Sequence, residues 1–364
     1  MISKSVLFIF LSVFIASLGN GETICSPRAK IHSKARLSTA VIHPFALGAD
    51  VSWLTEMEAK NYTFYDSTGT QRDCMELLKS MGINAIRLRV WVNPPDGWCN
   101  TKDFLIKAKR ANKLGMKILV DFHYSDSWAD PGKQTKPDAW KKLSLKRLTR
   151  KVYSYTREVL KTLKKNDITP QWVQVGNETT YGMLWDKNES VSGAITANNG
   201  KNYTLLSNAG YKAVKSVFPS TKVVVHIDRG QLQSLSKQLF DAMLPYGGKF
   251  DVLGFSLYPA AGNWRKQNKD CLKNMQWVVD HYGKEVMICE AGMQWDQQDS
   301  AKAFLSDLIQ KTRSVKNASG KRMGLGIFYW EPECYNWKGY SKGAFNPNGT
   351  PTRAMDAFLE NKQK

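Results

Sequence analysis

Two glutamates, Glu178 and Glu290, each end a short apolar segment that is typical of a buried strand. The segments are Trp172–Glu178 and Val286–Glu290. Hydrolysis of a glycosidic bond requires one carboxylic acid to protonate the leaving oxygen and a second carboxylate that acts as nucleophile or activates water. The alternative is that each glutamate closes its strand in a surface salt bridge. The two glutamates can act together only if the fold brings both strand ends to one place.

From Phe45 onward, strand-like segments alternate with amphipathic helical ones. The predicted strands are Ala46–Ser52, Asn84–Val92, Lys117–Phe122, Gln171–Gly176, Lys222–Ile227, Phe250–Leu257, Val286–Cys289 and Gly324–Trp330. The predicted helices are Asp73–Met81, Lys102–Leu114, Leu145–Leu163, Tyr203–Phe218, Gln231–Leu244, Cys271–Tyr282, Ser300–Thr312 and a last one after Thr350-Pro351.

Eight strands, each followed by a helix, predict an α/β protein with a single (β/α)8 TIM barrel over residues 45–364. A doubly wound open sheet is the alternative. That fold normally has fewer strands and a glycine-rich phosphate loop, and no such loop follows the first predicted strand.

Active sites of TIM barrels gather at the carboxyl ends of the strands. The fourth and seventh strands lie in opposite parts of the ring, so Glu178 and Glu290 would face each other across the barrel mouth. A carboxyl separation of about 5–5.5 Å would retain the anomeric configuration, and about 6.5–9.5 Å would invert it. Ten of the twelve tryptophans lie at or beyond predicted strand ends, which indicates a rim for sugar rings: Trp53, Trp91, Trp98, Trp128, Trp140, Trp185, Trp264, Trp295, Trp330 and Trp337.

Residues 1–20 have the layout of a secretory signal peptide, with one charge at Lys4, an apolar run over Val6–Phe14 and small residues at Ala16, Ser17 and Gly19. A signal anchor is the alternative. Residues 21–44 form a basic lead-in segment. No later stretch is long and apolar enough to cross a bilayer. We therefore expect a secreted, extracellular protein that does not bind a membrane.

The formal charge of +20 points to acidic partners, and basic residues are densest at Lys133–Lys165 and near the N-terminus. A generally basic solvated surface is the simpler explanation. No nucleic-acid-binding motif is present, so we expect no nucleic-acid partner.

Six cysteines in an exported chain predict disulfide bonds rather than a metal site, with a buried thiol as the alternative for Cys289. Six Asn-x-Ser/Thr sequons predict a glycoprotein: Asn61, Asn177, Asn188, Asn202, Asn317 and Asn348. If the segment around Asn177 lines a pocket, that residue should remain unmodified.

Five segments resemble the arabinogalactan endo-β-1,4-galactanases of glycoside hydrolase family 53, a family of retaining barrel glycosidases: Gly48–Trp53, Ile86–Pro94, Asp121–Pro131, Val173–Glu178 and Gly326–Pro332. The resemblance extends from about Phe45 to the C-terminus. It implies an endo-acting, retaining hydrolase of β-1,4-galactan, the side chain of pectic rhamnogalacturonan.

By this resemblance Glu178 is the acid/base and Glu290 the nucleophile. Arg87 would orient the nucleophile, with Arg89 as the other candidate. Strand alternation puts both on the same face, so the arginine nearer the barrel mouth is preferred, and which of the two that is stays open at this point. The resemblance further implies that Asn177 bonds the sugar 2-hydroxyl, that Tyr258 donates to Glu290, and that His123, Asp50, Trp330, Trp91 and Asp126 contribute to substrate binding. The alternatives are a structural ion pair of either arginine with Asp121 or Asp50, a wall role for His123, and bracing of a loop by Asp126 and Asp130.

The chain departs from the family pattern at Glu331–Trp337, which is polar and contains a cysteine, and at the segment Glu290–Trp295 that follows the seventh strand. Residues Asn317–Gly320 lack the acidic cluster with which some bacterial relatives bind calcium, so we expect no metal and no cofactor. We expect a monomer with a polysaccharide substrate. The alternatives are an endo-hydrolase of another β-1,4-polysaccharide, such as mannan or glucan, and a non-catalytic sugar-binding barrel.

Overall fold

Eight parallel strands close into a barrel in the computed structural model, which describes residues 45–185, 191–196 and 199–362. The barrel strands are β1 (Ala46–Asp50), β4 (Ala85–Val90), β5 (Lys117–Phe122), β6 (Trp172–Val175), β7 (Lys222–Ile227), β8 (Val252–Leu257), β9 (Glu285–Ala291) and β10 (Gly324–Trp330). Their order around the ring is β1-β10-β9-β8-β7-β6-β5-β4. The predicted TIM barrel is confirmed.

The helices surround this ring. They are α1 (Leu54–Ala59), α2 (Cys74–Ser80), α3 (Thr101–Lys113), α4 (Leu145–Lys165), α5 (Lys201–Val217), α6 (Gln233–Met243), α7 (Trp264–Tyr282), α8 (Gln298–Ser314) and α9 (Asp356–Glu360). The short helix α1 and an antiparallel pair formed by β2 (Phe64–Tyr65) and β3 (Gln71–Arg72) were not predicted. The last helix begins later than predicted, after a 3-10 turn at Arg353–Met355.

The barrel interior is filled by side chains from the inner faces of the strands. This inner cluster comprises Ala46, Ala85, Leu119, Trp172, Val224, Val252, Met287, Cys289, Leu325 and Phe328. Gly48 is required here, because a Cβ at that position would lie 2.2 Å from the Phe328 ring. Packing of this kind makes the barrel a solid core and leaves the strand ends for a site.

The prediction of disulfide bonds is wrong for the described cysteines. Cys74, Cys99, Cys271, Cys289 and Cys334 are all buried free thiols. Burial raises the pKa of each thiol, to about 12 for Cys271, so these side chains behave as small apolar groups. An even cysteine count in an exported chain favours pairing only statistically, and here the thiols fill the core.

The predicted signal peptide (1–20), the basic lead-in (21–44) and Cys25 lie outside the described residues. Over the part of the chain that is described, no helix combines the length and the apolarity needed to cross a bilayer.

Candidate active site

A cavity of about 350 Å³ opens at the carboxyl ends of the barrel strands. Its walls contain both candidate catalytic carboxylates, Glu178 and Glu290. The other lining residues are His123, Trp128, Ala129, Asp130, Asn177, Tyr258, Trp330, Tyr340 and Lys342. The fold therefore brings together the two strand ends that the sequence singled out.

Glu178 reaches the cavity because the chain turns sharply after β6. Gly176 has φ 89° and Glu178 has φ 44°, so both lie in the left-handed region. Gly176 cannot carry a side chain, since a Cβ there would lie 2.5 Å from Thr179 Cγ2. A non-glycine residue in this region stores backbone strain, which is a common feature of functional sites.

Glu290 reaches the cavity because the pairing of β8 with β9 is irregular. Phe255 is opposite Ile288, but the next pair is Ser256 with Glu290, so Cys289 is skipped. A bulge of this kind re-aims the following side chain. As a result Cys289 lies in the inner cluster while the adjacent Glu290 lines the cavity.

Arg87 is buried below the two carboxylates and is bonded on every side. Its Nη1 lies 2.7 Å from Asp50 Oδ2, and its Nη2 lies 2.9 Å from Asp121 Oδ2 and 2.8 Å from Glu290 Oε1. Nη2 also donates to Asn177 Oδ1 at 2.8 Å. The guanidinium thus fixes one oxygen of Glu290 and is itself held by two aspartates.

Arg89 lies nearer the barrel mouth but does not contact Glu290. It forms an ion pair with Glu331, and its guanidinium carbon lies 4.9, 5.2 and 4.3 Å from the ring centroids of Trp53, Trp91 and Trp128. The expectation that the arginine nearer the mouth orients the nucleophile is therefore wrong, because Arg87 contacts Glu290 and Arg89 does not. Arg89 instead organises the tryptophans beneath the cavity wall.

The second oxygen of Glu290 accepts hydrogen bonds from two hydroxyl groups. Tyr258 donates to Oε2 at 2.8 Å and Ser256 at 3.4 Å. Burial raises the pKa of Glu290, but the positive charge of Arg87 and the hydrogen bond from Tyr258 oppose this rise. Arg87 and the two hydroxyl groups therefore stabilise the carboxylate form against the effect of burial, although the pKa of Glu290 stays above its ordinary value.

Glu178 has much less compensation. Burial of its carboxyl, and then the charge of Glu290, raise the pKa of Glu178 well above its ordinary value. The opposing contributions come from Ser256 and from the more distant Arg87. Of the two carboxyls, Glu178 is therefore the one that keeps the proton, and it remains partly accessible to solvent.

His226 joins the two carboxylates and was not among the predicted site residues. Its Nδ1 accepts from the Glu178 backbone N–H at 3.3 Å, and its Nε2 lies 2.9 Å from Ser256 Oγ. Burial and then the charge of Arg87 lower the pKa of His226 well below its ordinary value, so the imidazole is neutral.

Gln174 also belongs to this network, since its Nε2 bonds Asp121 Oδ1 and His226 Nδ1. The sequence did contain a signal for His226 and Gln174, because each is a polar residue on an otherwise apolar predicted strand.

His123 forms a wall of the cavity in a fixed orientation. The Ala129 backbone N–H donates to its Nδ1 at 3.1 Å, and Nε2 lies 3.0 Å from Asp121 Oδ2. Because Nδ1 accepts, the ring proton is on Nε2 and is donated to Asp121. His123 is thus tied to the same aspartate that holds Arg87.

Not every predicted binding residue lines the cavity. Asp50 and Trp91 are buried behind it, and Asp126 accepts from the backbone N–H groups of Asn93 and Asp138, each at 2.9 Å. Asp126 therefore braces loops, as the alternative interpretation stated. The predicted tryptophan rim is also smaller than expected, because only Trp128 and Trp330 line the cavity, whereas Trp140 is buried against Tyr155.

Among the described residues, one set of potential metal ligands lies close together: Glu331, Glu333 and Cys334, all buried. Arg89 already neutralises Glu331, and its guanidinium would repel a cation. Burial, and then the neighbouring Glu331, raise the pKa of Glu333 well above its ordinary value. These donors fit a carboxyl pair that shares a proton better than they fit a metal ion.

Comparison with known proteins agrees with this geometry. A sequence profile described as "Glycosyl hydrolase family 53" matches residues 46–303. A probable arabinogalactan endo-β-1,4-galactanase A of Neosartorya fischeri is 35% identical over 305 residues, which cover 78% of this chain and 83% of that protein. A GH53 catalytic domain of Ignisphaera aggregans superposes with a TM-score of 0.75 at 30% identity, covering 86% of this chain and 95% of that one. A solved fungal β-1,4-galactanase gives a TM-score of 0.75 at 26% identity, covering 85% and 98%.

Proposed function

The chain belongs to glycosyl hydrolase family 53, and we propose that it is an arabinogalactan endo-β-1,4-galactanase that cleaves β-1,4-galactosidic bonds within galactan chains with retention of configuration. Relatives that are named as galactanases support β-1,4-galactan as the substrate. The observation that carries the mechanism is the unequal environment of the two carboxyls. The Glu178 carboxyl is largely desolvated with little compensation, whereas Glu290 is held by Arg87 and Tyr258.

In the first step Glu290 attacks the anomeric carbon while Glu178 gives its proton to the glycosidic oxygen. The bond to the leaving sugar breaks, and a galactosyl ester forms on Glu290. The ester carries no charge, so the repulsion that raised the pKa of Glu178 is removed. Glu178 then acts as a base toward water, which attacks the anomeric carbon and releases Glu290. Two inversions give net retention.

Neighbouring residues position this pair. Arg87 holds one Glu290 oxygen, so that the other faces Tyr258 and the cavity. The Asn177 amide donates one hydrogen to the Ala129 carbonyl at 2.8 Å, and its second hydrogen is available for the sugar 2-hydroxyl. Trp330 and Trp128 offer flat apolar faces against which the C–H face of a galactose ring can pack.

We also propose that the protein is exported and acts outside the cell, on the basis of the leader-like residues 1–20. The monomeric state remains a prediction. Glycosylation of the sequons remains a prediction. Asn177 is buried, and both polar atoms of its side chain are bonded, so this sequon is not a plausible acceptor for a glycan.

The substrate is tested by measuring reducing ends released from purified β-1,4-galactan, β-1,4-mannan and β-1,4-glucan. We expect release from galactan, with oligosaccharides of intermediate length appearing first, and none from Glu290→Ala. Glu158→Ala, which changes an exposed glutamate on α4, is the matched control and should remain fully active. Release from mannan alone would contradict the proposed substrate, and release from no polymer would favour a non-catalytic binding protein.

The assignment of the two glutamates is tested with azide and an aryl β-galactoside that has a good leaving group. Azide should rescue Glu290→Ala by forming the α-galactosyl azide and Glu178→Ala by forming the β-azide. Proton NMR of early galactan hydrolysis should show the β-anomer first. If the α-anomer appeared first, the double displacement would be refuted.

A further inference from the structure

The positive charge of this protein is concentrated in one segment. Residues 133–165 contain twelve Lys or Arg and only two acidic residues, Asp138 and Glu158, a net charge of +10 out of +20 for the whole chain. Most of these basic residues lie on α4, on the outer surface of the barrel. This distribution is not that of a uniformly basic surface.

Some basic side chains on other helices form ion pairs within their own helix, whereas those of α4 do not. Lys237, Lys266 and Lys311, on α6, α7 and α8, each form an ion pair with an aspartate one helical turn away. Helix α4 has eight Lys or Arg side chains, and none of them forms an ion pair with another described residue. Unpaired charges of one sign repel each other, so this face gains from a polyanion.

A groove of about 270 Å³ lies between α4 and α5. Thr149, Arg150 and Tyr153 of α4 line one side, and Leu205, Ala209 and Lys212 of α5 contribute to the other. We call this the α4–α5 groove. Leu205 is 42% exposed, Tyr153 is half-buried, and Arg150 and Lys212 are exposed, one on each helix.

The composition of the α4–α5 groove fits a particular kind of ligand. An aromatic ring and an aliphatic floor suit the C–H face of a pyranose. Two cations on opposite walls suit carboxylates that follow one another along a chain. A neutral galactan would not need the cations, and a sulfated or phosphorylated polymer would not need the apolar floor.

We propose that the α4–α5 groove is a second, non-catalytic binding site for a polyuronate chain, with polygalacturonate as its ligand. This site shares no lining residue with the catalytic cavity. It would hold the enzyme on an acidic backbone while neutral side chains enter the barrel mouth. The inference depends on the proposed function only for this purpose, because binding to the groove requires no hydrolysis.

The test measures binding of the intact Glu290→Ala chain to polygalacturonate oligomers by calorimetry, in low and in physiological salt. Arg150→Gln with Lys212→Gln should weaken binding about five- to tenfold, because two exposed ion pairs are lost. Lys161→Gln with Lys165→Gln removes the same charge from exposed positions of α4 outside the groove and should weaken binding less than about twofold. Tyr153→Leu should weaken binding about threefold without changing its salt dependence.

Three results would overturn the proposal. The first is an equal loss of affinity in the control pair Lys161→Gln and Lys165→Gln, which would show a diffuse charge effect. The second is equal binding of dextran sulfate, single-stranded RNA or fully methyl-esterified polygalacturonate. The third is no binding to polygalacturonate in low salt. Hydrolysis of short neutral galacto-oligosaccharides by otherwise wild-type groove variants reports on the proposed function separately, and it should be unchanged.

Discussion

The buried carboxyl pair of Glu331 and Glu333 predicts a loss of stability with rising pH that one substitution should remove. Glu331 is paired with Arg89, whereas no donor from another described residue reaches either oxygen of Glu333. An ionised Glu333 would therefore be an uncompensated buried charge. A protonated Glu333 can instead donate to Glu331, and the pair then carries a single negative charge opposite Arg89.

The size of the effect follows from the pKa shifts. Burial, and then the charge of Glu331, raise the pKa of Glu333, the group that holds the shared proton, well above its ordinary value. The folded state thus keeps a proton that the unfolded chain releases, so stability present below pH 4.5 is lost as the pH rises toward 7 and above. At about 1.4 kcal/mol per pH unit for one proton, the loss between pH 4.5 and 7 is about 3 kcal/mol.

Glu333→Gln removes this dependence, because its amide donates to Glu331 without a proton that can dissociate. Relative to wild type, the free energy of unfolding of the variant should rise by about 3 kcal/mol between pH 4.5 and 7. Denaturation by guanidinium chloride, followed by tryptophan fluorescence at several pH values, measures this. Glu158→Gln makes the same charge change at an exposed, unpaired position and should show no such trend. A difference between Glu333→Gln and wild type that is constant with pH would refute a shared proton.

Three further predictions concern catalysis. Tyr258→Phe removes a hydrogen-bond donor to Glu290, so kcat should fall about 10- to 100-fold. The acidic limb of the profile of kcat/KM against pH should move to higher pH, and an unmoved limb would contradict the contact. Arg87→Lys should lower kcat by about 100-fold or more, whereas Arg89→Lys should act mainly on KM and stability through the tryptophans, as steady-state kinetics and thermal unfolding will show. Glu178→Gln should abolish galactan hydrolysis, but an aryl galactoside should still glycosylate Glu290. The rate of this glycosylation step, measured by the burst of phenol release, should show no basic limb in its pH profile.

The sequence located all eight barrel strands, and it placed β5, β7 and β10 at their observed ends. Parallel strands of a barrel are buried on both faces, so they stand out as continuous apolar runs between polar helices. The elements α1, β2 and β3 were missed because each is too short to display a period. Hydrophobic periodicity therefore predicts the barrel strands and long helices better than the short elements in the loops around the site.

The arginine that reaches the nucleophile could not be identified from alternation. Arg87 and Arg89 lie on the same face of β4, and their depth alone favours the residue nearer the mouth. In the structure, the ion-pair partners of each arginine determine which of the two reaches Glu290. Asp50 and Asp121 fix Arg87 beside Glu290, while Glu331 draws Arg89 toward the tryptophans. Such a choice depends on residues that are far apart in the chain and close only after folding.

The same limit applies to Cys289, whose buried thiol the sequence offered only as the alternative to a disulfide. A regular strand would point Cys289 and Glu290 to opposite faces, so a cysteine in the barrel interior would direct the glutamate outward. The skipped pair between Ser256 and Glu290 removes this conflict, and Gly254 provides the space, since a Cβ there would lie 2.4 Å from Cys289 Sγ. The free thiol is thus part of the floor beneath the nucleophile. The bulge that lets Cys289 stay in the barrel interior also places Glu290 in the cavity.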